Sequence, residues 1–274
     1  MGPIYPTAPG GDRNDVACWL IFAAAVSFSP THLHGDQRGE SVRWRWFVLW
    51  ASCSLALWTV AWIVHEAVFV PRGWCVGSWS AGRYWIVAKL AVWISPTIWL
   101  LRRSRETLGA ATGLGTARGL PQGVLIALAW LGVQALWSKV RGVWPPPQSI
   151  GGYGAVNAYV VAPVFEELVF RGFALRRLRA RGAGFWPAAL ATSIAFGLLH
   201  VPGWLFMKGA SATTLLLLGP VVFIGVVLAA VSWRLPSLWA CIAVHLANNA
   251  WNGGLISAVA RSLGDLANRV GLFL

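Results

Sequence analysis

The sequence predicts an all-α, polytopic transmembrane bundle of about seven to eight membrane helices. Three observations carry that prediction. Of 274 residues, 57% are hydrophobic and only 11% charged, against roughly 25% charged in an ordinary soluble domain. Mean hydropathy is +0.61. The apolar residues gather into runs of about 18 to 25 residues, enough to cross a ~30 Å hydrocarbon core at ~1.5 Å per helical residue. This composition excludes a disordered chain, a coiled coil and almost any soluble domain. Helices are required because lipid offers the backbone no hydrogen-bond partner.

The elements follow in order. Residues 1–45 form an N-terminal tail that opens rich in Gly and Pro. Within it, 16–29 is apolar but short for a span, and no A-x-A cleavage site follows. It reads as either a short span or an interfacial piece. Seven stronger candidates come next, at 46–70, 84–101, 121–138, 155–175, 185–206, 213–231 and 236–260. The stretch Trp144-Pro145-Pro146-Pro147, followed by Gly151-Gly152, separates N-terminal spans (46–150) from a core at 151–260. The tail 261–274 is too short to span. No internal repeat is evident.

Charge sets orientation. Twenty-two Lys and Arg stand against nine Asp and Glu, a formal +13. In a soluble protein this excess would point to nucleic acid. With so little polar surface it reads as loop charge, and no nucleic-acid partner is expected. Alternate connections carry twelve basic residues on one side, densest between Arg176 and Arg181, and seven on the other. The positive-inside rule places the first side in the cytoplasm of a plasma membrane. Only Lys89, Lys139 and Lys208 among the bases are Lys, an Arg bias that fits a GC-rich bacterial genome. Many of the 19 Trp lie near span ends, where interfacial aromatics collect. The four Cys show neither metal-ligand nor disulfide spacing.

Two of the nine acids are adjacent in mid-span, in Val164-Phe165-Glu166-Glu167-Leu168-Val169-Phe170-Arg171. One carboxylate at the centre of a membrane helix costs ~2.5–3.5 kcal/mol on insertion scales. Helical neighbours point about 100° apart, so one Glu faces a cavity while the other engages a neighbouring helix. Glu167 and Arg171 stand at i,i+4 in the favourable order, which leaves Glu166 for water or substrate. A buried ion-pair lock is the competing reading, but a lock needs only one acid.

The next span places Phe196 and His200 at i,i+4, just before Pro202 and Gly203, where a helix kinks or breaks. The last places His245 and Asn249 on one face, a spacing that also suits contacts between helices. His65-Glu66, near the outer end of the first long span, is expected to be an interface pair. A carboxylate, two imidazoles and an amide are the parts needed to activate water. Glu and His can take its proton, and a second His with Asn can donate to a developing oxyanion. The same set could instead hold a divalent metal such as zinc, with Glu166, His200 and His245 as ligands and water in the open position. Residue chemistry leaves both open.

In this order, Glu166-Glu167-x-x-x-Arg171, Phe196-x-x-x-His200 and His245-x-x-x-Asn249 resemble the CPBP family of intramembrane proteases. This is the CAAX prenyl protease and bacteriocin-processing group, also called Abi. The resemblance covers roughly 155–254. It implies about eight membrane helices around a polar cavity and hydrolysis of a peptide bond in a membrane-associated protein or peptide. Eukaryotic members cut the last three residues from prenylated CAAX proteins. Carried over, the resemblance implies that Glu166 and His200 activate the water and that His245 and Asn249 stabilise the oxyanion. Glu167, counted with the catalytic set, and Arg171 orient Glu166, and Phe196 is a further orienting residue. It also implies a glutamate mechanism without metal, and no HExxH zinc signature occurs. Two other readings compete: a non-catalytic scaffold or immunity protein, and an ion or solute transporter using the Glu pair. The lack of an inverted repeat counts against the last.

Overall fold

The computed structural model describes residues 39–75, 78–103, 105–145, 152–257, 259 and 262. The apolar run 16–29 lies outside them, as do most of the tails 1–45 and 261–274. The structure is 83% helical, with no strand among the described residues. The chain divides into two units, Met1–Ala56 and Leu57–Leu274.

The first helix, α1 (Gly39–Val64), begins in the first unit. There Trp46 stacks on Trp50 with ring centroids 6.1 Å apart.

In the second unit α1 runs into a π-helical turn, His65–Phe69. Helix α2 (Ser78–Lys89) passes through another such turn, Leu90–Ile94, into α3 (Ser95–Arg103). The short α4 (Leu108–Thr112) precedes α5 (Leu120–Arg141). Pro121 sits in the first turn of α5, where its missing N–H costs nothing. Next comes one continuous helical path. It comprises α6 (Gly152–Val156), a π turn Asn157–Val161, α7 (Ala162–Glu167), a longer π stretch Leu168–Leu175 and α8 (Arg176–Ala180). Each π turn adds a residue to the helical repeat and re-aims the side chains around it. The remaining helices are α9 (Phe185–Leu198), α10 (Val201–Lys208), α11 (Ala212–Leu216), α12 (Leu218–Arg234) and α13 (Leu238–Asn252).

Among the described residues, five helices are long and apolar enough to cross a membrane: Trp44–Phe69, Ser80–Arg103, Leu120–Arg141, Phe185–Lys208 and Thr214–Arg234. The expected count of seven to eight is not reached on length and composition alone. The candidate at 155–175 is helical, and the one at 236–260 contains the helix Leu238–Asn252, but both lie outside the five. The first carries Glu166, Glu167 and Arg171, and the α-helix of the second has 15 residues.

Helix α13 packs on α5, α9 on α12, and α2 on α6. Glycine permits the closest of these approaches. A Cβ on Gly123 of α5 would fall 2.4 Å from Ala240 Cα of α13, so only glycine lets the two backbones meet. The core lies along the middle of the continuous path, where every residue from 166 to 175 is buried. By contrast, Leu125, Leu128, Leu136 and Val140 of α5 are exposed, which suits a surface turned to lipid.

Candidate active site

Glu167 and Arg171 anchor the site. Both are fully buried, so each charge needs a partner. Glu167 Oε1 accepts from Arg171 Nη1 at 3.0 Å and lies 2.7 Å from His245 Nδ1. Arg171 Nη2 donates to the Gly225 carbonyl at 3.1 Å, and its guanidinium lies 4.6 Å from the Phe196 ring centroid. One arginine thereby ties the π stretch to α12 and α9. Gly225 makes the approach possible, since a Cβ there would fall 2.8 Å from Ser193 Cβ.

These contacts set the histidine tautomers. The Glu167 oxygen that receives Arg171 is an acceptor, so His245 Nδ1 carries a hydrogen. Its Nε2 then faces Glu166, 3.7 Å from Oε2. His200 sits at the break between α9 and α10, a little before the Pro202–Gly203 pair. Its Nδ1 lies 2.9 Å from the Phe196 carbonyl. A carbonyl only accepts, so Nδ1–H donates, and in the neutral ring Nε2 holds the lone pair. Phe196 stands between the polar groups. Its ring meets His200 edge-on at 4.8 Å, His245 at 5.9 Å and Phe170 at 5.3 Å.

Glu166 differs from Glu167. It is buried, yet among the described residues no donor stands within ordinary hydrogen-bond length of its carboxylate. Two cationic or ring nitrogens flank it just beyond that length, Lys89 Nζ at 3.6 Å from Oε1 and His245 Nε2 at 3.7 Å from Oε2.

Asn249 shares the helix of His245, but its hydrogen bond leaves the cluster: Nδ2 donates to the Ala158 carbonyl at 3.0 Å. Its neighbour makes a second contact between helices, Asn248 Oδ1 accepting from Trp130 Nε1 of α5 at 3.2 Å. His65 pairs with Glu66 at 2.7 Å and packs against Tyr84 and Trp85, apart from the contacts of Glu166 and Glu167. The structure thus brings Glu166, Glu167, Arg171, Phe196, His200 and His245 together, and ties Asn249 to the turn that precedes Glu166.

Lys89 is the participant that sequence reasoning missed. It was counted only as one of three lysines. Its position inside a predicted span was the available signal, because an intramembrane ammonium calls for a partner acid. Asn157, whose Oδ1 accepts from Lys89 Nζ at 3.2 Å, gave no comparable signal.

The family comparison follows the same residues. Residues 151–251 match the family model for type II CAAX prenyl endopeptidases, Rce1-like. The match covers this segment, less than half of the chain. The likeness to CAAX proteases read from the three motifs holds over it, and every motif residue lies within it, whereas Lys89 does not. No curated protein and no solved structure matches the chain. The Rce1-like match and the five apolar helices support an intramembrane endopeptidase, a hydrolase, within a multi-pass membrane protein.

A cavity of about 780 Å³ opens elsewhere in the second unit, lined by Arg176, Arg177, Arg179, Arg234 and Glu106 among others. None of the motif residues lines it, although Phe173, two residues beyond Arg171, does.

Proposed function

We propose that the Rce1-like segment cleaves a peptide bond in a membrane-associated protein or peptide, using water activated by Glu166 and His200. The observation that carries this reading is the contrast between the two adjacent acids. Glu167 Oε1 is bonded to both Arg171 and His245, and the whole side chain is sealed from solvent. The Glu166 carboxylate is flanked only at 3.6 Å and 3.7 Å, by Lys89 Nζ and His245 Nε2, a looser grip that leaves it available to a water.

The chemistry follows from the donors. Water oxygen attacks the scissile carbonyl carbon as one water proton passes to Glu166, while His200 Nε2 accepts from the water and aligns it. The carbonyl oxygen becomes an oxyanion. The second N–H of Asn249, and Nε2–H of His245 in its imidazolium form, are the donors assigned to it. The C–N bond then breaks, and the proton held by Glu166 passes to the departing amine. The other water hydrogen remains on the new carboxyl group. Glu167, Arg171 and Phe196 hold the acid and both imidazoles in place.

This reading routes no step through a metal. The zinc set weighed from the sequence was Glu166, His200 and His245. Among the described residues no three His, Cys, Asp or Glu side chains are grouped to hold an ion. Lys89 already presents a cation to Glu166, which supports a metal-free arrangement. We also place the Arg176–Ala180 end in the cytoplasm, on the twelve-to-seven distribution of basic residues.

The test is cleavage of membrane-associated peptides, a prenylated CAAX peptide among them, by the full chain in proteoliposomes. Glu166→Gln and His200→Ala are each expected to lose roughly 10²–10⁴-fold in rate. Wild-type rates in either variant would overturn the assignment. Activity is expected to survive a zinc chelator, and its loss, restored by added zinc, would overturn the metal-free reading.

A further inference from the structure

We infer that Lys89 is the counter-ion of Glu166 and a positioning residue for the hydrolysis, an inference that rests on reading Glu166 as the base. Lys89 ends α2 at the point where the helix widens into the π turn Leu90–Ile94. It lies within the span Ser80–Arg103 and is 5% exposed. A buried ammonium at membrane depth is expensive and needs a partner.

The ammonium meets three residues. Nζ donates to Asn157 Oδ1 at 3.2 Å, lies 3.6 Å from Glu166 Oε1 and stands 5.6 Å from the Trp93 ring centroid, within cation–π range. Asn157 opens one π turn and Trp93 sits on another. Two widened helical turns thus aim one charge at one carboxylate oxygen, while His245 faces the other oxygen.

The charges of the cluster explain why this matters. Arg171 balances Glu167, and Lys89 balances Glu166. Without Lys89, the cation left facing Glu166 is His245, which is already held by Glu167 at 2.7 Å and stands 3.7 Å from Glu166, so Glu166 keeps no cation of its own. Such a group escapes its desolvation cost by binding a proton. A protonated Glu166 cannot accept one from water. Lys89 therefore acts through Glu166 rather than on the substrate, and its loss strikes the chemical step.

A purely structural role, with Lys89 and Asn157 merely latching α2 to the start of the Rce1-like segment, makes a different prediction. The experiment measures kcat and KM of the full chain in proteoliposomes for Lys89→Met, Asn157→Ala and Glu166→Gln. Lys89→Met is expected to lower kcat by about 100-fold, the size seen when one preorganised electrostatic group is removed. Its KM is expected to stay within about 3-fold of wild type. Asn157→Ala keeps the charge and is expected to retain most of kcat. In Lys89→Cys, alkylation with 2-bromoethylamine rebuilds a side chain of lysine length and charge. It is expected to return activity to that variant and to leave Lys89→Ala inactive, with wild type treated in parallel to account for the native cysteines. This rescue also serves if Lys89→Met does not fold.

Wild-type kcat in Lys89→Met, or no rescue by alkylation of folded Lys89→Cys, would overturn the inference while Glu166→Gln remains inactive. Equal losses in Lys89→Met and Asn157→Ala would reduce Lys89 to a latch. Wild-type activity in Glu166→Gln would instead remove the base assignment, and the counter-ion role with it.

Discussion

Replacing Arg171 by methionine tests what holds the site together. The side chain is fully buried. It makes an ion pair with Glu167 at 3.0 Å and a hydrogen bond to the Gly225 carbonyl at 3.1 Å. Unit charges ~4 Å apart in an effective dielectric of about 20 interact by about 4 kcal/mol. An orphaned buried carbonyl adds about 1–3 kcal/mol. Burial of the methionine side chain offsets about 1.5–3 kcal/mol. The expected net loss is about 3–5 kcal/mol, the range for stranding one half of a buried ion pair. Adding Glu167→Gln removes the stranded charge and is expected to recover about 2 kcal/mol or more of that loss. The measurement is reversible unfolding in mixed micelles, followed by tryptophan emission. The 19 Trp include a Trp58–Trp93 contact at 4.5 Å that reports on tertiary packing. A loss below about 1 kcal/mol, or a double variant less stable than the single one, would refute the reasoning.

Three further outcomes are expected. Asn249→Ala should lower kcat by roughly 10²–10³-fold at nearly constant KM if its free N–H serves the oxyanion, read from steady-state cleavage. Gly123→Ala should destabilise by about 1–3 kcal/mol through overpacking, because the new methyl meets the Ala240 backbone; the same unfolding assay reads it. Glu106→Gln should change stability by less than about 1 kcal/mol, since its partner Arg177 and the pair itself are solvent-accessible. That variant serves as a surface control for Arg171→Met.

The parts of this molecule that could be read from sequence are those in which one helix decides the outcome. Lipid leaves the backbone no alternative to helix, so apolar runs were enough to announce an all-α bundle. Glu167 and Arg171 meet within one turn of a helix, so spacing alone placed them together. What escaped is long-range. The bond from Glu167 to His245 joins residues 78 apart, and nothing local selects Glu167 over Glu166 for it. Lys89 and Glu166 come from separate helices, and a count that treats bases as loop charge hides the one inside a span. Asn249 shares a face with His245 as its spacing requires. Its actual partner, however, is a backbone carbonyl, which no side-chain pattern reveals. The candidate spans 155–175 and 236–260 were legible as helices, but their polar residues and shortness keep them out of the set that length and apolarity alone would pick.

The widened turns also bear on which sequence changes the site can survive. Each one is equivalent to a single residue inserted into an α-helix, and Glu166–Glu167 lies between two of them. Deleting one residue from Asn157–Val161 would remove no ionisable side chain and little apolar surface. It would rotate Asn157 by about 100° relative to Glu166 and carry it away from Lys89. The contacts this turn makes, from Asn157 to Lys89, from the Ala158 carbonyl to Asn249 and from Tyr159 to the Gly253 carbonyl, therefore depend on helical phase as much as on residue identity. A homologous chain that retains all three motifs but is one residue shorter ahead of its double Glu would need a different partner for the lysine.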